Sequence, residues 1–120
     1  MLETLLLINR GGKGFLRGNL PAEAQYAPIY GIVADDLNGD GIKDLVLAGN
    51  QSWARIKLGR FRANHGLVLM GDKKLNYSTL TQAASGLNVR ADTRDLLMLG
   101  NSRTLVFANN DAPVMAYRLR

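Results

Sequence analysis

The residues of this chain best suited to chemistry fall within ten consecutive positions, Asp36-Leu37-Asn38-Gly39-Asp40-Gly41-Ile42-Lys43-Asp44-Leu45. Side-chain oxygens recur at the first, third, fifth and ninth of these positions, and a glycine stands at the sixth. Oxygen-only donors at that spacing suit a hard cation, since calcium gathers about six to eight oxygens at roughly 2.3–2.6 Å. Asp36, Asn38, Asp40 and Asp44 are the candidate side-chain ligands, and the Ile42 carbonyl is the candidate backbone ligand. Gly41 permits the sharp bend because it has no Cβ. A second reading stays open, because Asp, Asn and Gly also build ordinary turns in which side chains bond the local backbone. Against it, three carboxylates in one short loop repel each other unless a cation neutralises them.

The elements that position this loop are not those of an EF-hand. An EF-hand takes a bidentate Glu at its twelfth position, and here that position is Leu47. The flanks Tyr30-Gly31-Ile32-Val33-Ala34 and Leu45-Val46-Leu47-Ala48-Gly49 are short, β-rich runs bounded by glycine, too brief for paired helices. The loop is therefore expected to join two strands. Tyr30-Gly31, Val33-Ala34, the Asp-x-Asn-x-Asp-Gly-x-x-Asp-Leu loop and Ala48-Gly49-Asn50 together resemble an FG-GAP (VCBS-type) repeat over residues 29–50. The likeness is nearest to the carboxy-terminal end of bacterial FG-GAP/VCBS propeller proteins. It implies blades of an integrin-like β-propeller, with calcium held in the first hairpin of a blade. The chain departs from that pattern in having one intact calcium loop and too few residues for a ring.

Internal repetition agrees with blades. Leu5-Leu6-Leu7-Ile8-Asn9, a glycine-rich turn and Phe15-Leu16 resemble Leu67-Val68-Leu69-Met70-Gly71, a turn and Tyr77. The two runs around the aspartate loop return as Leu97-Met98-Leu99 and Leu105-Val106-Phe107-Ala108-Asn109-Asn110, joined by a trimmed turn without ligands. The expected fold class is all-β, with four-stranded antiparallel meanders. Strands are expected at 4–9 and 14–20, then 31–36, 44–49, 66–71 and 76–81, then 94–99, 104–109 and 114–119. That is one domain over 1–120, about two and a quarter blades, with blade parts 1–28, 29–82 and 83–120. No helix is expected beyond a turn at Ala22-Glu23-Ala24-Gln25. An open stack of blades exposes apolar faces, so either self-association or the remainder of a longer propeller is expected to cover them.

Length, composition and charge set the outer bounds. The chain has 120 residues, 47% of them hydrophobic, as in an ordinary globular domain. No apolar stretch reaches the roughly 18 residues of a membrane span. Cysteine is absent, which removes disulfides, thiolate metal sites and cysteine nucleophiles. Met1 to Ile8 lacks the basic start and long apolar run of a signal peptide. The chain is then either a trimmed part of an exported protein, extracellular or periplasmic as the resemblance implies, or a small stand-alone product. The net charge of +5 favours anionic partners without specificity.

The long connection from Gln51 to His65 is the candidate ligand-binding segment. It carries Trp53, Arg55, Lys57, Arg60, Phe61 and Arg62, and aromatic faces among cations suit acidic sugars or nucleic-acid strands. The competing reading has Trp53 and Phe61 filling the core while the cations keep the segment solvated. His65 is the only histidine and has no nucleophile linked to it by motif, so catalysis has no foothold. Asp92-Thr93-Arg94-Asp95 reads as a surface ion-pair cluster, and Asn109-Asn110-Asp111-Ala112-Pro113 as a hairpin turn. The functional expectation is a calcium-stabilised, non-enzymatic propeller module for protein or carbohydrate recognition or adhesion. Its alternatives are an accessory propeller of a carbohydrate-active enzyme, or a basic nucleic-acid or polyanion binder.

Overall fold

The structure is a computed structural model, and it describes residues 3–49 and 66–119. The candidate ligand residues Trp53, Arg55, Lys57, Arg60, Phe61 and Arg62, and also His65, lie outside the described residues. Among the described residues, nine strands form three antiparallel sheets of two, four and three strands, and neighbours in each sheet are consecutive in sequence. The first sheet pairs β1 (Leu7–Asn9) with β2 (Phe15–Arg17). The second runs β3 (Gly31–Asp35), β4 (Asp44–Ala48), β5 (Leu67–Gly71) and β6 (Tyr77–Leu80). The third runs β7 (Asp92–Leu99), β8 (Thr104–Asn110) and β9 (Met115–Arg118). The all-β expectation holds.

The inner strands of the second sheet, β4 and β5, pack on both faces, which explains why they are apolar at successive positions. On one face Val46, Ala48 and Val68 meet Leu96, Leu105 and Phe107 of the third sheet, with Leu87 and Val89 of the connecting segment between them. On the other, Leu47 and Leu69 pack with Ala24, which sits in a single 3-10 turn at Ala22–Gln25. Phe107 is fully buried and meets Tyr117 edge to face, with ring centroids 5.7 Å apart. The first strands of the second and third sheets approach at Gly31. A Cβ there would stand 2.7 Å from both the backbone nitrogen and the Cβ of Leu96, so a larger residue would force the two sheets apart.

Differences from the expected elements have local causes. Residues 4–6 are not strand; the Thr4 amide donates to the Gln25 side chain at 2.9 Å, and Gln25 Nε2 donates back to the Thr4 carbonyl at 2.8 Å. One helical turn, α1 (Gln82–Ser85), was not expected; Thr81 caps it by accepting from the Ala84 amide, and Gly86 closes it in the left-handed conformation. The Asp92–Asp95 segment, expected at the surface, is buried over its first two residues. Asp92 and Thr93 are buried, Thr93 Oγ1 donates to Asn109 Oδ1 at 2.8 Å, and Arg94 lies over the Tyr30 ring, 4.5 Å from its centroid. The register with β8 shifts between Thr93 and Asp95.

Candidate metal centre

The loop at 36–43 joins β3 to β4, in register from Asp35 opposite Asp44 to Gly31 opposite Ala48. It therefore occupies the first hairpin of the only complete four-stranded meander among the described residues. The Asp36 carboxylate organises its turn. Oδ1 accepts from the Gly39 amide at 2.8 Å and the Asp40 amide at 3.2 Å, while Oδ2 accepts from the Gly41 amide at 2.7 Å. These backbone donors, Gly41 foremost, hold the Asp36 carboxyl below the usual value of 3.8. Gly41 has φ of +83°, in the left-handed region that a side chain disfavours.

The next two side chains continue the pattern. Asn38 Oδ1 accepts from the Asp40 amide at 3.2 Å, and Asn38 Nδ2 donates to Asp40 Oδ2 at 3.2 Å. Asp40 Oδ1 accepts from the Ile42 amide at 2.8 Å. Asp44 differs from the others because it is fully buried. Its Oδ2 accepts from the Leu37 amide at 3.0 Å and its Oδ1 from the Gly71 amide at 2.8 Å. One carboxylate thus ties the loop, the start of β4 and the end of β5 together. Among the described residues no cationic side chain forms an ion pair with Asp44, so its charge is met by backbone dipoles.

The donor chemistry fits a hard cation: three carboxylates, one amide oxygen and one backbone carbonyl, with no nitrogen or sulfur ligand. A carboxylate has about four lone-pair sites on its two oxygens, so the backbone bonds leave acceptor capacity on Asp36, Asp40 and Asp44. Among the described residues no group of three or more carboxylate, imidazole or thiolate side chains is close enough to hold a metal ion. Side-chain-to-backbone hydrogen bonds also close the loop on itself.

The structure adds a residue that sequence reasoning overlooked. Arg103, in the turn between β7 and β8, donates from Nη2 to the carbonyls of Leu37 at 3.0 Å and Asp36 at 3.3 Å. Nothing local in the sequence signals the contact, which arises only when the third sheet docks on the second. Comparison of the chain with protein-family models, with curated proteins and with solved structures finds no match.

Proposed function

We propose that the chain is a calcium-stabilised, non-enzymatic β-propeller-type module of the FG-GAP/VCBS kind, used for protein or carbohydrate recognition. The observation that carries this reading is the 36–44 loop, which places three aspartates and Asn38 in the first hairpin of a four-stranded meander, with Asp44 buried at its base. Calcium in this reading does no chemistry on a substrate. It supplies the positive charge that offsets mutual repulsion of Asp36, Asp40 and Asp44, and so fastens β3 to β4 and β5. Burying a carboxylate is costly unless it is hydrogen-bonded and paired, and an ion in the loop provides the pairing that no cationic side chain among the described residues gives Asp44.

Blade-like packing supports the propeller part of the reading. The second and third sheets stack with their first strands adjacent at Gly31 and Leu96, as blades do around an axis. The outer face of the third sheet still presents Leu97, Leu99 and Val114, exposed by 57%, 46% and 65%. The first sheet likewise presents Leu7, Phe15 and Leu16. Further blades, from a second copy or from a longer chain, would cover both surfaces in an exported protein. No helix among the described residues is long and apolar enough to cross a membrane.

Thermal unfolding in excess Ca²⁺ and in chelator tests the proposal. At a hundred-fold excess of ion over its dissociation constant, binding to the folded state alone stabilises by about 2.7 kcal/mol. For a chain of this size that is on the order of 10 °C in Tm. Asp40→Ala should abolish the shift; an identical shift in that variant, or none in the parent chain, overturns the reading.

A further inference from the structure

Arg103 belongs to the third sheet, yet its guanidinium reaches two carbonyls of the aspartate loop, 66 and 67 residues away in sequence. Its backbone has φ of +49°, a left-handed conformation in which long side chains are uncommon. The Arg103 carbonyl accepts from the Leu119 amide at 2.9 Å, so the turn is also held from beyond β9. Glycine or asparagine would suit that backbone better. Arginine adds reach and a rigid fork of donors.

The peptide unit between Asp36 and Leu37 is gripped from both sides. Its carbonyl accepts from Arg103 Nη2 at 3.3 Å, and its N–H donates to Asp44 Oδ2 at 3.0 Å. The direction in which the Asp36 side chain leaves the backbone is thereby fixed by one residue from each sheet. We infer that Arg103 is a positioning residue for the aspartate loop, coupling ion binding in that loop to docking of the third sheet on the second. The inference rests on the calcium reading above. Fixing the 36–37 peptide before the ion arrives lowers the ordering cost of binding. Such coupling is reciprocal: a docked third sheet tightens ion binding, and a bound ion tightens docking.

The sign of one measurement separates positioning from simple electrostatics. A guanidinium beside a cation site repels the ion, so if charge alone mattered, removing Arg103 would tighten calcium binding. Positioning demands the reverse. Calorimetric titration of Ca²⁺ into the full chain is compared with Arg103→Gly and Arg103→Asn, both suited to the left-handed turn, and with Arg103→Lys. Affinity should fall about five-fold or more in the Gly and Asn variants, and by less in the Lys variant, which keeps charge without the fork. Hydrogen exchange at the Leu105 and Phe107 amides should slow on calcium addition in the parent chain and lose most of that response in Arg103→Gly. Unchanged or increased affinity in the variants overturns the coupling while leaving the calcium reading intact, even if Tm falls. Absence of binding by the parent chain overturns both.

Discussion

Asp44 offers the sharpest test of how the loop is held. The carboxylate is fully buried and accepts two backbone bonds, from Leu37 at 3.0 Å and Gly71 at 2.8 Å. In Asp44→Asn the side chain keeps its shape, but one oxygen becomes an NH2 donor facing an N–H donor. One charge-assisted bond is lost, and a buried donor is left without an acceptor. A buried donor or acceptor left unsatisfied costs about 1–3 kcal/mol, and a hydrogen bond to a charged group contributes about 1.5–3 kcal/mol. A net loss of roughly 2–4 kcal/mol is expected for the isosteric change, and more for Asp44→Ala, which orphans both amides. Urea unfolding in chelator, with the slope held common across variants, measures it without any contribution from the ion. A loss under about 1 kcal/mol would refute the reasoning, because it would mean that the two amides find other partners once the carboxylate is gone. Repeating the measurement in Ca²⁺ should widen the gap between parent and variant, since Asp44 is also a proposed ligand.

Three further outcomes follow from the same geometry. Gly31→Val should destabilise by about 1–3 kcal/mol in chemical denaturation, because its side chain must displace Leu96 at the contact between the second and third sheets. Asp72 accepts from the Lys74 amide at 2.8 Å and the Asn76 amide at 3.0 Å; these bonds, Asn76 foremost, hold its carboxyl below 3.8 in the folded state. Its contribution to stability is therefore present above that value and lost as pH falls through the lower folded one. Asp72→Asn should flatten the acid limb of a stability–pH profile, and an unchanged limb contradicts the assignment. Light scattering should find the chain self-associated through Leu97, Leu99 and Val114, with Leu97→Glu shifting it towards monomer; a monodisperse parent monomer removes self-association from the account.

Most of the fold was legible because strand signals in this chain are local. Apolar runs of about five residues between glycine, asparagine and aspartate turns mark β3, β4, β5, β7 and β8 nearly to the residue. The 36–44 loop was legible as a compact, oxygen-rich turn for the same reason. What escaped depends on distance. Thr4 bonds with the side chain of Gln25, twenty-one residues on. Arg103 reaches the loop only through the stacking of two sheets. The α1 turn carried its own caps, Thr81 and Gly86, but four residues give too little periodicity to separate helix from loop.

The central claim, that the 36–44 loop takes up calcium, is tested most directly by amide chemical shifts during Ca²⁺ titration of the chelator-stripped chain. Gly39, Asp40, Gly41 and Ile42 have amides bonded to the proposed ligands, so their resonances should move together and saturate at one ion per chain. Calcium that leaves these four resonances in place, or that moves only amides remote from the β3–β4 hairpin, contradicts the account.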